Sequence, residues 1–300
     1  MVQPLAQHPL GHAHFLMASP LLSLHRASTF YDGLDHPECV AVHPDGSVWA
    51  GGEAGQIYRL SPDGSTCEEV ATTGGFTLGI AFSPDASWLA VCDLKGSCLW
   101  RLDLDTREFR KLAQPEDAAP LATPNFPVFG PDGTLYVSDS GAFREVNGRI
   151  VAFEGDRGRV WHEGPFNFAN GMCLTPERDA LYVVCSWLPG VERVEIRDDG
   201  ASGERETVVT LPETVPDGVA VDVHGTLYVS CYAPSRIYRV APGEAPEVFI
   251  DDWEAHTICN PTNIAFGGPG FDQILVANLG RWHLTRIDAG VRGAPLVCHR

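Results

Sequence analysis

The chain has 300 residues, 44% of them hydrophobic, and a formal net charge of −18. That balance argues against nucleic acid and anionic membrane as partners, because phosphate recognition needs a basic face, and no run approaches the ~18 apolar residues of a membrane-spanning helix. Nine cysteines, an odd number with no C-x-x-C pair, read as small buried thiols of a reducing compartment and not as a zinc ribbon.

In chain order, residues 1–22 read as a surface arm. Their apolar patch near Phe15 to Leu24 lacks a preceding basic segment and is interrupted by proline, so a signal peptide is not expected and the protein is read as cytoplasmic. Residues 23–300 are expected to form one domain. Ser23 to Phe30 is predicted as a short strand that completes the last sheet, beside Thr285 to Asp288 and Pro295 to Cys298.

From there one pattern recurs. A polar start is followed by an alternating apolar run, a turn, and a second run. PDGVAVDVHGTLYVS starts at Asp217, HPECVAVHPDGSVWAGG at Glu38, TLGIAFSPDASWLAV at Leu78, PNFPVFGPDGTLYVSDS at Asn125, ANGMCLTPERDALYVVCSW at Asn170 and PTNIAFGGPGFDQILVAN at Thr262. The starts lie 40, 47, 45, 47 and 45 residues apart, and a glycine follows four of them at eight residues: Gly46, Gly133, Gly225 and Gly270. A period of roughly 40–50 residues with about four strands per unit is the signature of a β-propeller. The expected fold is all-β, a six-bladed β-propeller with about four antiparallel strands per blade. The loops 114–124 and 251–261 are expected to cross one end of the ring.

The inner strand of each blade lines a propeller's channel, so the six starts form a ring at one depth. Four of them carry oxygen ligands: Glu38, Asn125, Asn170 and Asp217. Asn or Asp alone before glycine is ordinary turn chemistry; four at one repeat position point to a metal. All-oxygen ligation with two carboxylates suits Ca²⁺, with Zn²⁺, Mn²⁺ or Mg²⁺ as alternatives.

On the segments around Glu38, Asn125, Asn170, Asp217 and Thr262, the chain resembles the senescence-marker-protein/gluconolactonase family of six-bladed propellers, the relatives of regucalcin, over roughly residues 30–290. The resemblance implies a divalent metal held by Glu38, Asn170 and Asp217, with Asn125 as a further ligand or a substrate hydrogen-bond donor. It also implies hydrolysis of lactones, chiefly sugar lactones, with phosphotriester hydrolysis in one branch. Two departures stand out. Thr123 occupies the position where sugar-lactone members carry arginine. HPECVAV and GEAGQIYRL also look like the strictosidine-synthase-like and paraoxonase-like branches.

Asp217 is the candidate catalytic base, with Asn125 beside it orienting the substrate. Thr123, Phe143, Arg144, Glu145, Trp187, Tyr232, Arg281 and Trp282 are the candidate substrate walls, set against the alternative that each aromatic only packs between blades. The expected partner is a small-molecule substrate, and the protein a monomer or small homo-oligomer. Phosphotriesterase or strictosidine-synthase-like chemistry on the same metal, and a non-enzymatic ligand-binding propeller, remain as alternatives.

Overall fold

The computed structural model describes residues 19–299. Most of the expected N-terminal arm, residues 1–18, lies outside the described residues. The remainder of it runs along the outer edge of blade 5, where the Leu21 and Leu22 amides donate to the Val248 and Phe249 carbonyls at 2.9 and 2.7 Å.

The first strand is β1 (Ala27–Asp32). Blade 1 comprises β2 (Cys39–Val42), β3 (Val48–Gly51), β4 (Gln56–Leu60) and β5 (Cys67–Thr72). Blade 2 comprises β6 (Thr77–Phe82), β7 (Trp88–Asp93), β8 (Cys98–Asp103) and β9 (Phe109–Lys111). Blade 3 comprises β10 (Pro124–Phe129), β11 (Leu135–Asp139), β12 (Gly148–Glu154) and β13 (Arg157–Phe166). Blade 4 comprises β14 (Ala169–Leu174), β15 (Ala180–Cys185), β16 (Gly190–Ile196) and β17 (Ser202–Thr210). Blade 5 comprises β18 (Val215–Val221), β19 (Leu227–Ala233), β20 (Arg236–Val240) and β21 (Glu247–Asp251). Blade 6 comprises β22 (Pro261–Gly267), β23 (Gln273–Asn278) and β24 (His283–Asp288), with β1 as its fourth strand. The fold is the expected six-bladed propeller with four antiparallel strands per blade.

Burial falls from the axis outward. Every residue of the inner strands β2 and β22 is buried, whereas none of the outer β5 is. An inner strand is sandwiched by its neighbours on both sheet faces, so its sequence is a near-continuous apolar run. Edge-on aromatic pairs join successive blades, as in Trp49–Phe82, Trp88–Phe129 and Tyr228–Phe266 at 5.6, 5.0 and 5.5 Å. The turn after the inner strand needs a left-handed residue. Gly133 and Gly225 supply it at φ 88° and 81°, and Ala86 adopts it at φ 55° without glycine's freedom.

Ring closure differs from the sequence expectation in two details. Leu24–Arg26 is a 3-10 turn capped by the Ser23 hydroxyl, so the closing strand begins at Ala27 and not at Ser23. It pairs with β24 from Ala27↔Ile287 to Asp32↔His283. Pro295 to Cys298 does not join that sheet, because β1 already occupies the edge. The tail instead crosses the far end of the channel: the Val223 amide donates to the Arg292 carbonyl at 3.0 Å, the Ala294 amide to the Val221 carbonyl at 3.0 Å, and Arg178 Nη2 to the Pro295 carbonyl at 3.1 Å. Above this floor lies a cavity of about 500 Å³, lined by apolar side chains such as Ile80, Phe126, Met172, Val219 and Phe266.

Candidate functional site

All six inner strands start at the opposite end of the channel from that floor. In blades 2 to 6 the pairing slips at the start, between Thr77/Ile80, Pro124/Pro127, Ala169/Met172, Pro216/Val219 and Pro261/Ile264. Leu78, Asn125, Asn170, Asp217 and Thr262 fall inside these irregularities, and Glu38 immediately precedes β2. A bulge releases residues from the ladder and re-aims their side chains. The glycines after Asn170 and Asp217 are required by close approach: a Cβ on Gly171 would lie 2.7 Å from the Asp217 carbonyl, and one on Gly218 2.6 Å from the Thr262 carbonyl.

Glu38, Asn125, Asn170 and Asp217 are all buried, between 4% and 7% exposed. A repeated serine clamp orients the two amides. Asn125 Nδ2 donates to Ser140 Oγ at 3.1 Å, and that hydroxyl donates to the Ala169 carbonyl at 2.6 Å. Asn170 Nδ2 donates to Ser186 Oγ at 3.2 Å, which donates to the Pro216 carbonyl at 2.8 Å. Each serine proton goes to a carbonyl, so each serine oxygen must accept from the amide. The asparagine carbonyl oxygens are thereby left for another partner. Ser230 and Thr262 make the corresponding links between blades 5, 6 and 1, to the carbonyls of Thr262 and Glu38. Thr262 is thus a seam residue.

Three of these buried oxygens have no hydrogen-bond partner among the described residues: Glu38 Oε2, Asn170 Oδ1 and Asp217 Oδ1. Burial, then the neighbouring Asp217 charge, raises the Glu38 carboxyl well above the usual range, with the Thr262 hydroxyl opposing. Burial also raises Asp217 to about 7, with the Asn170 amide opposing. Two carboxyls and an amide carbonyl, buried and unpaired among the described residues, form an arrangement that a cation would complete. Asn263, which the sequence reading passed over, adjoins Glu38. Its backbone N–H donates to the Glu38 carbonyl at 3.4 Å, and both polar atoms of its side chain are buried without a partner among the described residues. Its only sequence signal was its place directly after a repeat start.

The candidate wall residues divide. Phe143, Arg144 and Trp187 come together: the Phe143 and Trp187 rings are 5.6 Å apart, and the Arg144 guanidinium lies 5.4 and 5.8 Å from their centroids. Phe168, not anticipated from sequence, completes the group at 6.1 Å from Phe143 and 5.9 Å from Trp187. Thr123 holds the loop beneath, its hydroxyl donating to the Gly141 carbonyl at 2.8 Å, and Glu145 accepts from Asn147 Nδ2 at 3.0 Å. Tyr232 and Trp282 stand apart from this group. The Tyr232 carbonyl accepts from Asn260 Nδ2 at 2.9 Å, and the Trp282 ring packs 5.2 Å from His36. Arg281 lies in the same loop as Trp282, beside Cys259.

Beside Trp282, Asp35, His36 and Glu53 bring three ligand atoms within 4.8 Å of one another, a compact cluster that can chelate a divalent ion. His36 Nδ1 is 3.3 Å from both carboxylates. Among the described residues no helix is long and apolar enough to cross a membrane.

Comparison with known proteins agrees with this fold. Residues 89–279 match the family model described as SMP-30/Gluconolactonase/LRE-like region, and residues 24–60 match the N-terminal model of the strictosidine synthase-like proteins. Regucalcin of Xenopus laevis is 26% identical over 134 residues, 44% of this chain and 44% of its own length. The chain thus matches less than half the length of this curated relative. Among solved structures, a gluconolactonase of Xanthomonas campestris superposes with a TM-score of 0.73 at 19% identity, over 87% of this chain and 89% of that one. A calcium-binding protein of Agrobacterium tumefaciens, named regucalcin, superposes with a TM-score of 0.71 at 19% identity, over 91% and 99%. At such identities the superpositions speak for the fold alone. The family model spans more than half of the chain, which therefore belongs to the SMP-30/gluconolactonase/LRE-like family.

Proposed function

We propose that Glu38, Asn125, Asn170 and Asp217 hold one divalent cation, Ca²⁺ before Zn²⁺, Mn²⁺ or Mg²⁺, and that the protein is a metal-dependent hydrolase that opens a lactone. The observation that carries this is the set of three buried oxygens on Glu38, Asn170 and Asp217 that have no partner among the described residues. An oxygen-only donor set with two carboxylates suits a hard cation. Membership of the SMP-30/gluconolactonase/LRE-like family supports the same reading.

A bound cation would return both carboxyls to the ionised state, polarise a carbonyl oxygen and make a water more acidic. Within that frame Asp217 takes the proton of the attacking water as the water oxygen bonds to the lactone carbonyl carbon. The ring C–O bond then breaks, and the proton passes to the departing oxygen, giving a hydroxy acid. Glu38 serves as a structural ligand. The serine clamps engage the Asn125 and Asn170 Nδ2 groups, so their carbonyl oxygens would be the atoms that hold a cation, and Asn125 would act as a ligand and orienter more than as a donor.

The strictosidine synthase-like match over residues 24–60 includes Glu38 and keeps a second reading, another reaction on the same ring. Acid release from assorted lactones, with Ca²⁺ present or chelated, tests the first reading. Metal-dependent acidification is the expected result; none with any lactone, beside turnover of a phosphotriester or an aldehyde–amine pair, would transfer the assignment.

A further inference from the structure

The aromatic group above blades 3 and 4 is more specific than a generic wall. Phe143 is 67% exposed although its ring meets both Phe168 and Trp187 edge-on. An aromatic left that open has apolar area still to be covered. Trp187 Nε1 is buried and without a hydrogen-bond partner among the described residues, a donor awaiting an acceptor. Phe168 and Arg144 sit in left-handed backbone, at φ 64° and 62°. For a bulky aromatic this is a true outlier, and such strain persists where surrounding structure imposes it. The group is also tied to the ring through Asn170. Phe168 lies two residues before Asn170, its carbonyl accepts from the Ser186 amide at 3.1 Å, and Ser186 clamps Asn170. Thr123 offers no free hydroxyl proton here, since it is spent on Gly141.

We propose that Phe143, Phe168 and Trp187 form a specificity surface for a lactone that carries a flat apolar group, such as a phenyl substituent or fused aromatic ring, in preference to a polyhydroxy sugar lactone. The ligand's flat group covers the Phe143 face, and an acceptor oxygen on the ligand takes the Trp187 N–H. A sugar lactone would bring several hydroxyls to this wall, where aromatic carbon cannot satisfy them. This inference rests on the hydrolase reading for its reaction but not for its binding surface.

Two measurements separate the two. With Ca²⁺ saturating, kcat/KM is compared for a phenyl-substituted δ-lactone and glucono-1,5-lactone. The wild type should prefer the phenyl lactone by about tenfold or more. Phe143→Ala should raise KM for that substrate about tenfold and shrink the preference for it over the sugar lactone by a similar factor. Trp187→Phe, which keeps a ring but removes the N–H, should raise KM a few-fold. In parallel, calorimetry follows binding of the corresponding phenyl lactam, which is not turned over. If no lactone is opened but the lactam binds, and binds about tenfold less tightly to Phe143→Ala, the surface stands and the hydrolase reading falls. Equal or better use of the sugar lactone, or a Phe143→Ala variant with unchanged KM and unchanged lactam affinity, would overturn the proposal.

Discussion

Two acidic groups occupy the same end of the propeller and are built in opposite ways. Glu38 and Asp217 stand in the channel at 5% and 7% exposure, each with a carboxylate oxygen that has no partner among the described residues. Asp35 and Glu53 lie on the rim, with side chains 34% and 53% exposed and His36 between them. Asp35 Oδ2 also accepts from the Ala54 amide at 3.1 Å and Gln56 Nε2 at 3.0 Å. Although partial burial opposes it, hydrogen bonds from Gln56 and His36 hold the Asp35 carboxyl below its ordinary value. The rim cluster is therefore already hydrogen-bonded by its neighbours and open to solvent, and its pairs are worth ~0–1 kcal/mol each. The channel pair is buried, repelled and short of partners among the described residues. Proximity of acidic groups is common to both; burial without partners among the described residues is what sets the proposed cation site apart from the rim.

The largest expected effect bears on turnover at the channel pair. Asp217→Asn keeps an oxygen ligand and the shape but removes the base, so kcat should fall by about 10² to 10⁴ at saturating Ca²⁺. Steady-state kinetics with metal occupancy measured alongside checks this, and full turnover would exclude Asp217 as the base. A smaller loss should follow from Ser186→Ala, which frees the Asn170 amide to rotate. Cation affinity should drop about tenfold, the usual scale for removing a group that orients a ligand, with Ser186→Thr restoring much of it. Unchanged affinity would mean the clamp only ties blade 4 to blade 5.

A third consequence concerns pH. Asp217 and Glu38 have folded-state values raised above the unfolded ones. Their contribution to stability is present below the ordinary carboxylate range, near pH 4, and is lost as pH rises through about 7 for Asp217. The chelated protein should thus melt a few degrees lower at pH 8 than at pH 6. Saturating Ca²⁺ should raise Tm more at pH 8 than at pH 6, since binding needs both carboxylates ionised. A chelated protein whose Tm is flat across that window would show that the pair is solvated.

Much of this was legible in the sequence because propeller repeats translate position into depth. Glu38, Asn125, Asn170 and Asp217 could be aligned by their distance from the following turn, and that register is the one found. What was not legible depends on contacts between blades. Ser140 and Ser186 look like ordinary strand residues until the next blade's carbonyl is set against them. Asn263 follows a repeat start where blades 2, 4 and 5 have Gly79, Gly171 and Gly218, so it reads as a variant turn residue and not as a buried amide. Phe168 sits between Asn167 and Ala169 with nothing local to mark it, and only the fold brings it to Phe143. The tail misled for a similar reason. Pro295 to Cys298 is apolar enough for a strand, but the edge it would have paired with was already taken by Ala27–Asp32.

The most direct test is a calorimetric Ca²⁺ titration of the wild type, Glu38→Gln and Glu53→Gln at pH 8. The channel assignment expects wild-type binding at one site, an affinity more than about 100-fold weaker in Glu38→Gln, and a change within about twofold in Glu53→Gln. Loss of binding in Glu53→Gln with Glu38→Gln unaffected would contradict it and place the cation on the rim.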